Sequence, residues 1–260
     1  MGLDRADPCS AWILTVDADV RPAPDLVRSL LSHAIRSEVA AVSIATTQRL
    51  SGEAEGVVHP ALLTTLVYRF GIPGHTTRRV AAVQANGQCA LYRREPLERI
   101  GGFTTAWTSV CEDVTVARAL ATTGYAVGFH ESDGLASVDM YASWSDAWTN
   151  WTRSLPLRDR YAGHAGWLGL SEIVLAQALP LPLLLMLWRP VPRSQLALAI
   201  NVLLVLVRLG VLGGTARAYE WRPWTYWLSP LADLPVAVQL WRNALRRTHI
   251  WRGRILVRRG

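Results

Sequence analysis

Lysine is absent from this 260-residue chain, so all 27 of its basic side chains are arginine. Codon bias explains that absence more readily than function does. Cysteine is scarce too: Cys9, Cys89 and Cys111 are isolated, odd in number and without a Cys-x-x-Cys spacing. This argues against a disulfide framework or a cysteine zinc site and fits a reducing compartment. Met1 to Ser10 is short and polar, unlike the apolar core of a signal peptide. Acidic residues number 20 and leave a net charge of +7, an excess that suits either nucleic acid or an anionic membrane surface. The uneven spread of apolar residues favours the membrane and no nucleic acid. Residues 1 to about 140 have the composition of an ordinary α/β domain, whereas 167 to about 241 are largely apolar. Ten of the twelve tryptophans lie at or beyond Trp144, where they suit a membrane–water interface.

What is present is organised around Trp12-Ile13-Leu14-Thr15-Val16-Asp17-Ala18-Asp19. A β-branched apolar run reads as a buried strand, and it ends in two aspartates one residue apart. The C-terminal edge of an open α/β sheet is where ligands bind, and two carboxylates there can hold a hard divalent cation that neutralises phosphate. The plain alternative is that Asp19 caps the next helix and Asp17 is a solvated turn residue; spacing alone leaves the two even.

Pro24 with Leu26, Leu30, Leu31 and Ala34 predicts a helix packed on one face, and Val39 to Ala45 the next strand. Ser51 to Gly56 reads as a polar loop, Pro60 to Phe70 as a helix and Gly71 to Arg79 as a loop. Val80 to Tyr92 reads as a strand interrupted at Asn86-Gly87. Arg93 to Ile100 is a short helix closed by Gly101-Gly102-Phe103, for which a C-cap is the simplest account. Cys111-Glu112-Asp113 opens a further helix. Carboxylates in a first turn are stabilised by the helix dipole, so Glu112 and Asp113 are either capping residues or a general base facing Asp17 and Asp19. Tyr125 to His130 is a last strand, and strands and helices alternate up to about residue 135.

From Trp144 the period changes. Trp144, Trp148, Trp151 and Leu155 form a stripe at i, i+4, i+7 and i+11. A core stripe is possible, but Arg153, Arg158 and Arg160 close by favour an interfacial helix lying on a membrane. Trp167 to Trp188 is 22 residues with only Glu172 charged, long enough to cross a bilayer. Gln195 to Gly214 is a second span, in which Arg208 faces protein or snorkels. Trp224 to Trp241 is a weaker third candidate.

In this order, Val16-Asp17-Ala18-Asp19, Asn86-Gly87-Gln88, Arg93-Arg94 with Gly101-Gly102-Phe103, and Cys111-Glu112-Asp113 resemble the C-terminal half of a family-2 glycosyltransferase domain. The tryptophan-rich helix, the spans and the closing Trp251-Arg252-Gly253-Arg254 are similar to the membrane-bound branch acting on lipids, which includes ceramide-glucosyltransferase-like enzymes and carotenoid or hopanoid glycosyltransferases. The resemblance implies an α/β fold with a partial GT-A domain over 1–138, an interfacial helix over 139–162, transmembrane helices over 163–241 and a basic cytoplasmic tail over 242–260. It implies that Asp17 and Asp19 bind a Mg or Mn ion and the donor diphosphate, that Asp113 is the base with Glu112 its neighbour, and that Gly101 and Gly102 form the acceptor loop. Trp148, Trp151 and Arg153 would lie at the membrane surface. The activity implied is inverting transfer of a sugar from a nucleotide sugar, UDP-linked by preference, to a lipid-like hydroxyl.

The arginines of the tail, by the positive-inside rule, and a catalytic half that must meet nucleotide sugars, put both in the cytoplasm. The chain would then be a multi-pass inner-membrane protein with two true spans and a re-entrant or interfacial third segment. Two departures stand out. The chain as given starts just before the Asp-x-Asp strand, without the uridine-binding βαβ part and N-terminal membrane helix of the branch. Ala147-Trp148-Thr149-Asn150-Trp151 retains only the tryptophan of the Gln-x-x-Arg-Trp motif of processive relatives, which favours single-sugar transfer. A non-catalytic remnant unable to bind donor is the alternative; a transporter is disfavoured by the span-free α/β half.

Overall fold

A computed structural model describes residue 3 and residues 6–139, 141, 143–187, 195–251 and 254–257. Trp188, Arg252, Gly253, Arg258 and Arg259, which figure in the sequence reading, lie outside the described residues. The elements up to the membrane-like region run β1 (Trp12–Val16), β2 (Val20–Pro22), α1 (Leu26–Arg36), β3 (Ala41–Ala45), β4 (Thr47–Arg49), α2 (Glu53–Phe70), β5 (His75–Thr77), β6 (Cys89–Arg93), α3 (Arg94–Arg99), α4 (Glu112–Thr122), β7 (Val127–Glu131) and β8 (Ala136–Val138).

The main sheet has the order β1-β6-β3-β7-β5. Its centre, β3, is apolar on both faces, as Ala41, Val42 and Ile44 require when helices cover each side. One face packs on Ala117 and Leu120 of α4, the other on Leu26, Leu30 and Ala34 of α1. β6 runs antiparallel to both β1 and β3, while β3 and β7 are parallel. This is a mixed α/β architecture consistent with a GT-A-like domain.

Two expectations are corrected here. The stretch from Val80 to Tyr92 is not one interrupted strand: Val80–Ala82 is a 3₁₀ turn and the strand begins at Cys89. Between them the Asn86 side chain donates to the Ile44 carbonyl at 3.1 Å, pinning the loop by a side chain instead of a ladder. Likewise Ser51 to Gly56 is no open loop, since α2 already starts at Glu53. Glu55 is buried, and its carboxylate accepts the Ser51 backbone N–H, so a residue that looks like a solvated loop acid holds the start of a helix.

Beyond β8 come a short turn α5 (Trp144–Asp146), a π-helical stretch Ala147–Trp151, α6 (Thr152–Ser154), α7 (Gly163–Glu172), a second π stretch Ile173–Ala178, α8 (Pro180–Leu187) and α9 (Gln195–Thr215). Gly163–Met186 and Gln195–Ala218, 24 residues each, are long and apolar enough to cross a membrane. Each is about 36 Å at 1.5 Å per residue, against a hydrocarbon layer of about 30 Å. Leu196, Ile200, Leu203, Leu206 and Leu209 of α9 stand exposed, an apolar face of the kind that marks contact with a membrane or another protein.

After α9 the chain returns. β9 (Tyr219–Trp221) pairs parallel with β4, completing a second sheet of order β2-β8-β4-β9. A 3₁₀ segment, Trp224–Ala232, then lies along α2, where Thr225 Oγ1 donates to the Glu53 carbonyl at 2.6 Å. It leads into α10 (Asp233–Leu245), which is followed by the hairpin of β10 (Thr248–Trp251) and β11 (Arg254–Val257). The arginine inside the second apolar helix faces protein. Arg208 Nε and Nη2 donate to the two carboxylate oxygens of Asp233 at 2.8 and 3.0 Å, and Nη2 also donates to Ser229. Gln177 Nε2 completes the set by donating to Asp233 Oδ1 at 2.8 Å.

Candidate active site

A cavity of about 760 Å³ opens where the chain leaves β1 and β3 and α4 begins. That volume is ordinary for a small-molecule site. It is lined by Asp17, Asp19, Glu112 and Asp113, so two motifs nearly a hundred residues apart share one space.

The link between them is the loop after the 3₁₀ turn. Asp17 N–H donates to the Gln88 carbonyl at 2.9 Å, and Gly87 N–H donates to Asp113 Oδ2 at 2.9 Å. Asn86 and Gln88 lock that loop through Asn86 Nδ2 to Gln88 Oε1 at 3.0 Å. Asp113 keeps part of its surface on the cavity but is otherwise enclosed, and burial pushes its pKa above the ordinary aspartate value. The backbone N–H groups of Val114, Gly87 and Asp113 pull it down, and the negative charge of Asp17 adds to the rise. A carboxylate with raised proton affinity, held by backbone amides and open to a cavity, has the properties of a general base.

The closeness of the loop favours glycine. A Cβ at Gly87 would meet Asp113 Cβ at 3.3 Å and push the carboxylate aside. Gly87→Ala is expected to fold but to lose about 10- to 100-fold in kcat, in line with the sensitivity of catalysis to a small misplacement. Steady-state kinetics beside a thermal melt checks this.

Asp17 and Asp19 are both exposed to the cavity. Among the described residues no three His, Cys, Asp or Glu side chains are assembled for a metal. A pair of carboxylates nonetheless fits magnesium or manganese, which take their remaining ligands from water and phosphate oxygens.

Gly101 and Gly102 do not line the cavity themselves. Both have positive φ, +87° and +64°, and the turn they make delivers Phe103 and Ala106 to the wall. Phe103 packs edge-on to Tyr92 at 5.4 Å.

The aromatic stripe packs one face against protein. Ala147 and Leu155 are buried, and Trp148 and Trp151 pack against a core that includes Leu62 of α2 and Leu240 of α10; only Trp144 stands well exposed. Trp151 lines the cavity and lies 4.5 Å from the His59 ring. His59 stays neutral, because burial pulls its pKa to about 3, and its Nδ1 lies 3.0 Å from the Tyr219 hydroxyl. Arg153 also lines the cavity.

Sequence reasoning missed Asp146 and Asn150, which line the cavity with Arg153. Their spacing, i, i+4 and i+7, was a polar stripe beside the tryptophan one and was the available signal. Tyr141 lines the cavity as well, its hydroxyl kept protonated by burial.

A family model described as glycosyl transferase family 21 matches residues 10–260. The motifs resemble a family-2 domain of the branch that includes ceramide-glucosyltransferase-like enzymes; the family matched is 21, which is itself ceramide-glucosyltransferase-like. No curated protein matches the chain.

Proposed function

The chain belongs to glycosyl transferase family 21 and is a glycosyltransferase, and from this we propose that it is a membrane-associated, inverting enzyme that moves a sugar from a nucleotide sugar to the hydroxyl of a lipid-like acceptor. The reading as a non-catalytic remnant is not favoured by a match that spans all four motifs. The observation that carries the proposal is the meeting of Asp113 with Asp17 and Asp19 in one cavity.

The nucleotide diphosphate, UDP by preference, lies on the Asp17 and Asp19 side. Asp17 and Asp19 would hold a magnesium or manganese ion there, which would supply positive charge to offset that of the departing diphosphate. Asp113 accepts the proton of the acceptor hydroxyl as its oxygen attacks the anomeric carbon. The bond from that carbon to the diphosphate oxygen breaks, and the nucleoside diphosphate leaves with the electron pair. Attack opposite the leaving group inverts the anomeric configuration.

A lipid acceptor suits the apolar wall of the cavity, formed by Leu63 and Leu66 of α2 with Leu155 and Leu157. Leu66 and Leu155 belong to the core from which α7 and α10 extend. Gly163–Met186 and Gln195–Ala218 then serve as two crossings of the inner membrane, with the catalytic half and the arginine-rich tail in the cytoplasm.

The test uses the full chain in lipid nanodiscs with α-linked UDP- and GDP-hexoses, a lipid extract and Mn²⁺. Expected is a glycolipid with a β linkage by NMR coupling constants, formed only with metal and lost on adding EDTA. An α-linked product overturns direct displacement. Unchanged transfer in EDTA overturns the role given to Asp17 and Asp19, and transfer to water-soluble acceptors alone overturns the lipid.

A further inference from the structure

The charges around the cavity are unbalanced for a pocket that takes a diphosphate. Asp17, Asp19, Glu112, Asp113 and Asp146 bring five carboxylates to its wall, and among the described residues Arg153 brings the one cation. A divalent ion at Asp17 and Asp19 offsets two of those charges. The remaining wall still repels phosphate at close range, where Coulomb energies are large, and the repulsion grows as the leaving group gains charge.

We propose that Arg153 is the phosphate clamp of this cavity, its guanidinium contacting diphosphate oxygens of the donor and of the departing nucleoside diphosphate. The assignment rests on the reading above that the cavity takes a nucleotide-linked sugar. The planar fork of arginine matches two phosphate oxygens at once. Its electrostatic neighbours are Tyr141 and Glu112, and Tyr141 is in turn within reach of Asp19 and Asp146. Arg153 therefore shares the cavity wall with both the Asp-x-Asp pair and the start of α4, within electrostatic reach of Glu112.

The backbone that carries Arg153 is fixed on both sides. Trp151 packs on His59, and the buried Thr152 hydroxyl accepts a hydrogen bond from Asn243 Nδ2 of α10 at 2.9 Å. Ser154 Oγ donates to the Trp151 carbonyl at 3.2 Å. The π-helical stretch that precedes it, Ala147–Trp151, belongs to a class of distortion often found at functional sites.

Calorimetric titration of the full chain in nanodiscs with UDP and with GDP, in Mn²⁺, tests the assignment. For whichever nucleotide the wild type binds, Arg153→Gln is expected to weaken affinity at least about tenfold and to flatten its dependence on NaCl. Arg153→Lys is expected to fall between the two, and a thermal melt shows whether each variant is folded. Equal affinity of wild type and Arg153→Gln, or Arg153→Lys no better than Arg153→Gln, overturns the clamp and leaves the glycosyltransferase reading intact. Failure of the wild type to bind either nucleotide overturns both.

Discussion

Asp113→Asn is expected to reduce kcat by about 10²- to 10⁴-fold, the range that general acid–base groups contribute, while raising the melting temperature. The two effects share one cause. Burial lifts the folded pKa of Asp113 above its ordinary value, so the native state binds this proton more tightly than the unfolded chain does. Stability from this group is therefore greatest at low pH and is lost as pH rises from the ordinary aspartate value through the folded one. At neutral pH the charged form is a standing penalty, which a neutral amide removes while still accepting the Gly87 N–H. The same shift places the acid limb of kcat/KM above the usual aspartate range. Transfer assays across pH, with melts of both proteins, check it; wild-type rates in Asp113→Asn would remove the residue from the chemistry.

The largest expected loss of stability is at Arg208. Arg208→Leu strips Asp233 of both guanidinium hydrogen bonds and leaves a buried carboxylate with Gln177 as its remaining hydrogen-bond donor among the described contacts. Breaking one side of a buried pair costs about 3–5 kcal/mol, on the order of 10 °C in Tm for a chain of this size. Removing both charges, as in Arg208→Leu with Asp233→Leu, is expected to recover much of that loss, because no unpaired charge is left behind. Melts of the two variants in the same nanodiscs compare them directly; a double variant as unstable as the single one would mean that packing, not charge, holds the site.

Local sequence carried the elements whose burial is set by their own pattern. The β-branched run before Asp17 is a strand, the two long apolar stretches are helices, and Glu112 starts a helix. What it could not carry was which surface each periodic face would meet. The tryptophan stripe from Trp144 has the period of a helix whether lipid or protein covers it, and here α2 and α10 do. Glu55 looked like a loop acid because its partner is a backbone amide, which leaves no mark in the side-chain pattern. The sequence pattern grouped Arg153 with the tryptophans of its helix, whereas its place on the cavity wall is visible only in three dimensions. Gly101 and Gly102 were legible as turn formers, whereas the residues they deliver to the wall, Phe103 and Ala106, were visible only in three dimensions.

The pairing of Tyr219–Trp221 with Thr47–Arg49 makes the two apolar helices an insertion within the catalytic fold, not an appendage to it. A ribosome must therefore synthesise both helices before the second sheet can gain its edge strand, so the catalytic fold is completed only after both apolar helices have been made. A chain released after residue 160 would show β4 with an open edge and α2 with a bare apolar flank. Such a fragment presents the open sheet edge that templates self-association, so truncation before the returning strand is expected to give an aggregation-prone product.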